Sequence, residues 1–105
     1  MISEDIIQKA VELLIEAANP VKIILFGSYA KGQVDENSDL DFLVIKKEVK
    51  ARRMEMVRLS DVLRPLRIPV DVIVASETVY NEWADTPGTV LYEATKKGRV
   101  LYEMA

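Results

Sequence analysis

Cysteine and histidine are both missing from this 105-residue chain. Without cysteine there are no disulfides and no thiolate metal sites. Without histidine the commonest general base is gone, along with every His-dependent triad and the usual nitrogen ligands of zinc. What is left for chemistry is carboxylates, hydroxyls, lysines and hard metal ions. No apolar run approaches the ~20 residues needed to cross a bilayer, and the N-terminus has no signal-peptide core. The cytoplasm is therefore the expected location, with no membrane contact. Positive charge is also scarce: 14 Lys and Arg against 17 Asp and Glu leave a net charge of −3. A general nucleic-acid binder needs basic surface to displace phosphate counterions, so direct nucleic-acid binding is not expected. A small anionic substrate carried by a cation remains open.

Half the residues are hydrophobic and 30% are charged, which is a globular rather than a disordered composition. The length suits one domain, residues 1–105, able to bury roughly two-thirds of its unfolded surface.

The stretch Ile23–Ile45, IILFGSYAKGQVDENSDLDFLVI, organises the rest. An apolar run ends at Gly27-Ser28, a polar turn-rich loop covers 32–38, and a second apolar run opens with Asp39-Leu40-Asp41. Upstream, residues 3–18 read as an amphipathic helix capped by Ser3, with Glu4 and Asp5 at its positive start and Ile6, Ala10, Leu14 and Ala17 on one face. Asn19-Pro20 stops it. Residues 21–26 read as a buried strand and Ser28–Lys31 as a short helical turn.

The second strand is expected over 40–45. Side chains alternate across a sheet, which puts Asp39, Asp41, Leu43 and Ile45 on one face. A helix over 48–64 follows, with Met54, Val57, Leu59, Val62 and Leu63 as its apolar contacts and Pro65 at its end. Residues 69–75 form a third strand interrupted only by Asp71. Ser76 caps a short helix holding Val79, Tyr80 and Trp83, with Trp83 expected in the core. Thr86-Pro87 reads as the cap and first residue of a helix closing at Gly98, and Val100–Tyr102 as a last strand. The fold class is α/β (α+β), a small mixed β-sheet flanked by helices. Strands one and two are expected antiparallel. Strands two and three, joined by a helix, are expected parallel with a right-handed crossover. That topology brings Asp71 to the end of the sheet where Asp39 and Asp41 lie.

Three converging carboxylates repel one another unless a divalent cation intervenes, and oxygen-only ligands select Mg²⁺ or Mn²⁺. Two such ions can serve phosphoryl or nucleotidyl transfer. The plainer account has Asp39 capping a loop, Asp41 at an edge and Asp71 in an ion pair. Gly27-Ser28 can cradle a phosphate through backbone amides and a hydroxyl, or simply end a strand. It is neither a Walker loop nor a Rossmann fingerprint. Lys31 can contact a triphosphate or be a solubilising charge. The basic run Lys46, Lys47, Lys50, Arg52, Arg53 and Arg58 can dock an acidic partner or be a solvated face, and Tyr80 and Tyr92 can stack a base or cover an interface.

Gly27-Ser28, ten intervening residues, Asp39-Leu40-Asp41 and a later in-strand Asp71 together resemble the polymerase-β-type nucleotidyltransferase superfamily. Within it the chain is similar to the minimal nucleotidyltransferases, which often act as antitoxins to HEPN-domain toxins; the likeness runs over residues 5–103. This resemblance implies the nucleotidyltransferase fold. Asp39 and Asp41 would bind the metal ions carrying the nucleotide, and Asp71 would complete the site as a catalytic and metal-binding residue. Gly27, Ser28 and Lys31 would hold the phosphates. The implied reaction moves AMP from ATP to a hydroxyl, a tyrosine of a partner HEPN toxin, within a hetero-oligomer. Occlusion of the partner without catalysis is the alternative, and transfer to a small molecule ranks last because the chain has no second domain. Where minimal nucleotidyltransferases often carry arginines after Gly-Ser, this chain has Tyr29 and Lys31.

Overall fold

The computed structural model describes residues 2–32, 34 and 38–104, so most of the loop expected over 32–38 lies outside the described residues. The elements run α1 (Glu4–Ala18), β1 (Lys22–Phe26), α2 (Ser28–Lys31), β2 (Leu40–Lys46), α3 (Arg52–Leu63), a 3₁₀ turn (Arg64–Leu66), β3 (Val70–Ser76), α4 (Glu77–Trp83), α5 (Val90–Lys97) and β4 (Arg99–Glu103). The four strands form one sheet in the order β3-β2-β1-β4. β1 is antiparallel to β2 and to β4, and β2 is parallel to β3, as the connection lengths require. Among the described residues no helix is long and apolar enough to cross a membrane.

Alternation along the strands sends side chains to two apolar layers. On one face Ile23, Leu25, Leu40, Phe42, Val44, Val72 and Val74 pack with Ile7, Ala10, Val11 and Leu14 of α1 and Leu59 and Leu63 of α3. On the other, Ile24, Leu43, Ile45 and Ala75 pack with Ala94 of α5, joined by the partly buried Phe26, Ile73, Tyr80 and Leu91. Covering both faces explains why β2 is almost continuously apolar. The second layer ends short of Asp41 and Asp71, which share its face by strand alternation.

Caps were legible. Ser3 accepts from the Ile6 amide and Ser76 from the Val79 amide, while Asn19 ends α1 in the left-handed region. Five details differ from the sequence reading. The inward stripe of α1 is Ile7, Ala10, Val11, Leu14 and Ala18, and Ile6 lies out; apolar doublets at 6–7 and 17–18 make two neighbouring stripes equally apolar. The third helix begins at Arg52 rather than 48, because Val49 turns in against the first layer and the Arg52 Nε pins the helix start to the Val74 carbonyl at 2.8 Å. Met54 and Val57, expected in the core, are 73% and 57% exposed, and Met56, Leu59 and Leu63 carry the inward face. The last helix starts at Val90, not at Pro87: Thr89 is the cap, its Oγ1 accepting from the Tyr92 amide at 3.1 Å and donating to the Thr86 carbonyl at 2.9 Å. Trp83, expected in the core, is 48% exposed, since α4 ends there before its turn can reach the layer.

Gly98 closes α5 and opens β4. A Cβ there would run into the Ala94 carbonyl, and would lie 2.6 Å from Ile24 Cγ2 and 2.9 Å from the Leu25 carbonyl. Glycine is what lets the end of α5 sit directly on β1.

Outside the core, Glu55 of α3 joins Lys46 at the end of β2 to Arg58, accepting from Arg58 at 2.7 and 2.8 Å. The Arg58 hydrogen bonds, then Lys46, hold its carboxyl down from 4.5 to about 2 against the opposing effect of burial. A depressed carboxylate contributes stability that is complete above its unfolded value and lost as pH falls through the folded one. Glu55→Gln is expected to cost roughly 1 kcal/mol at pH 7, a Tm decrease of about 4–8 °C. The difference from the parent should vanish as pH falls from about 4.5 toward 2, measured by thermal melts across that range.

Candidate active site

Parallel pairing of β2 with β3 sets Asp41 opposite Asp71 in the register, and antiparallel pairing of β1 with β2 sets Phe26 opposite Asp41. Asp39 is the residue before β2, and that strand begins with the Leu40 amide donating to the Pro69 carbonyl at 3.0 Å. The connection from 69 to 71 is therefore tied beside 39 to 41, and the three acids meet at one sheet end. Asp41 is half-buried, whereas Asp39 and Asp71 are exposed.

Their proximity has an electrostatic signature. Burial first, then the charges of Asp71 and Asp39, push the Asp41 carboxyl up to about 6. Among the described residues no ion pair relieves Asp41, and β2 lies between β3 and β1, so Asp41 is not on an edge strand. Lys22, Lys46, Arg52 and Arg58 are engaged elsewhere, with Glu103, Glu55 and the Val74 carbonyl.

Gly27 supplies the third wall. Its φ of +74° lies where side chains are strained, and a Cβ there would collide with Asp41 Oδ2. The glycine is required both by its backbone and by the carboxylate lying over it. Ser28 opens α2, and Gly27 accepts from the Lys31 amide at 3.2 Å. Beside Gly27 is a cavity of about 240 Å³ lined by Phe26, Gly27, Lys31, Glu93 and Lys97. Gly27 and Lys31 thus share this cavity, and of the two Gly27 lies against Asp41; Ser28 is not in its lining. Lys97 and Glu93 were not anticipated; a lysine in the last turn of a helix reads as a dipole complement, and only the fold carries it to β1. Tyr29 turns away from this cavity, packs against the first layer and accepts from the Ile2 amide at 2.9 Å. It occupies a structural position, not a vacated phosphate contact. Tyr80 is likewise committed, its hydroxyl bonded to Thr95 Oγ1 at 2.9 Å between α4 and α5.

The donor set fits a hard divalent cation. Among the described residues no three His, Cys, Asp or Glu side chains form a ready-made cation cage. Magnesium, however, is ordinarily held by one or two carboxylates together with substrate phosphates. Mutually repelling aspartates beside an open glycine turn meet that requirement.

A family model described as polymerase beta, nucleotidyltransferase matches residues 8–105. Two Methanocaldococcus jannaschii proteins provisionally named protein adenylyltransferases are similar in sequence. One is 32% identical over 84 residues, 77% of this chain and 77% of that protein. The other is 32% identical over 65 residues, 62% of this chain and 64% of the relative, so the likeness spans less than two thirds of that protein. In fold, the chain resembles a toxin–antitoxin structure with AMP-PNP, at a TM-score of 0.67 and 22% identity, covering 98% of this chain and 75% of that one.

Like charges at the sheet end weigh on the metal-free fold. Asp41 titrates higher folded than unfolded, so its contribution to stability is fully present below about 3.8 and is lost as pH rises toward 6. Asp41→Asn is expected to raise stability at pH 7 by on the order of 1 kcal/mol, discounted for solvent screening. Gly27→Ala is expected to lower it by more than about 1 kcal/mol. Melts in chelator at pH 5 and 7 check both signs.

Proposed function

The chain belongs to the polymerase-β nucleotidyltransferase family, and from that premise we propose that it transfers AMP from ATP to a hydroxyl of a partner protein. The observation that carries this reading is the register match of Asp41 with Asp71 on neighbouring strands, with the Asp41 carboxylate lying against Gly27. In this reading Asp39 and Asp41, with Asp71, hold Mg²⁺, two ions in the full complex and Mn²⁺ as a substitute. The metal supplies neutralisation of the triphosphate and of charge developing on the leaving group. Gly27, Ser28 and Lys31 hold the β- and γ-phosphates. Asp71, exposed on the edge strand β3, faces the side from which an acceptor arrives and takes the proton of its hydroxyl. The acceptor oxygen bonds to the α-phosphorus as the bond to pyrophosphate breaks.

The acceptor we assign is a tyrosine of a HEPN-type toxin, with this chain as its antitoxin. The fold likeness to a toxin–antitoxin structure with AMP-PNP supports that assignment. So does the outer face of α3, where the exposed Met54 and Val57 stand among Arg53, Arg58 and Asp61. That face also favours a second reading, in which the chain neutralises its partner by covering it. Incubation of the protein and its toxin with α-labelled ATP and Mg²⁺ is expected to label the toxin. An Asp39→Asn/Asp41→Asn double variant is expected to lose labelling by at least about 10³-fold while remaining folded. Labelling that survives in the double variant would falsify the transferase assignment. Neutralisation that survives while labelling is lost would establish occlusion instead.

A further inference from the structure

The cavity beside Gly27 has two lysines from opposite ends of the sequence, Lys31 at the end of α2 and Lys97 at the end of α5. Phe26 gives it an apolar wall and Glu93 is its one carboxylate. Lys97 is held there by the fold rather than by chance. The next residue is Gly98, whose bare Cα sits against Ile24 and the Leu25 carbonyl, so the last turn of α5 is locked onto the end of β1. The partner of Lys97 within the cavity is Glu93, one helical turn back, at 3.2 Å. Their side chains are 58% and 48% exposed, and a surface pair of that kind contributes little and is easily exchanged.

A ligand that enters this cavity past Gly27 meets the Asp41 carboxylate lying against Gly27 and, in the cavity lining, the Lys31 and Lys97 ammonium groups with the Glu93 carboxylate. An elongated polyanion that carries a cation near one end matches that arrangement, and a single compact anion does not. We propose that Lys97 is a second phosphate-binding cation of the site, contacting the terminal phosphates of a polyphosphate chain across from Lys31. Binding redirects Lys97 from Glu93 to the phosphate oxygens, which exchanges a weak surface pair for charge-assisted contacts. This inference rests on the nucleotide reading of the site.

The test is calorimetric binding of inorganic tripolyphosphate and of Mg²⁺-ATP to the purified protein, with no turnover required. Lys97→Met is expected to weaken both about tenfold, the loss of one charge-assisted contact. Lys97→Arg is expected to retain binding within about threefold. Lys96→Met is the charge-matched control: that ammonium lies over the Tyr92 ring and points toward Asp85, and its loss is expected to leave both affinities unchanged. Both lysines are exposed, and far-UV circular dichroism confirms that the variants fold. Parent protein that binds both ligands, with Lys97→Met binding equally well, overturns the role of Lys97 and leaves the nucleotide reading standing. Equal weakening by Lys96→Met and Lys97→Met shows a general charge effect and overturns it too. Parent protein that binds neither ligand overturns both readings together.

Discussion

The crowding of Asp41, first by burial and then by the charges of Asp71 and Asp39, is the constraint on which the site depends. Carboxylates are not gathered at a sheet end by the demands of packing, which would keep them apart. Parallel pairing of β2 with β3 places Asp41 and Asp71 side by side, and burial with the neighbouring charges lifts the Asp41 carboxyl to about 6. The structure around them is one that tolerates the strain. Two apolar layers, one on each face of the sheet, anchor the strands further along. The carboxylates occupy the end where the second layer gives out. Stability is spent at this end of the sheet, the pattern expected of a functional site rather than of a packed core.

Two glycines complete the arrangement for different reasons. Gly27 has a positive φ and no room for a side chain, because Asp41 lies against it. Gly98 has an ordinary extended backbone but sits so close to β1 that a methyl group would meet Ile24 and two carbonyls. The first leaves the backbone bare beside the Asp41 carboxylate; the second brings a distant part of the sequence to the same place. Between them they join residues about 70 apart in sequence into one cavity wall.

Element types and most boundaries could be read in advance, since apolar periodicity and capping residues are local properties. Ser3, Asn19, Ser76 and Gly98 mark helix ends that the structure confirms. The misreadings share a cause. Ile6 against Ile7, Met54 and Val57 against Met56, and Thr86 against Thr89 are choices between neighbouring registers of equal local merit. Burial of one stripe rather than another depends on which surface the sheet presents, and that surface is made by residues far away in the chain. Trp83 follows the same limit: large aromatics favour burial, but α4 ends at residue 83 and the ring stays 48% exposed.

By itself the amino-acid sequence determined the chemistry available: no histidine or cysteine, one glycine-serine turn, and acids at 39, 41 and 71 set within apolar strands. Those are covalent facts, and they match the pattern of the nucleotidyltransferase family to which the chain belongs. Only the tertiary structure decided which acid is half-buried, why residue 27 admits no side chain, that Tyr29 serves the core, and that Lys97 stands beside Lys31. Each of these depends on strand register and on the seating of α5 against β1. Contacts between residues distant in sequence set both, and no local pattern encodes them.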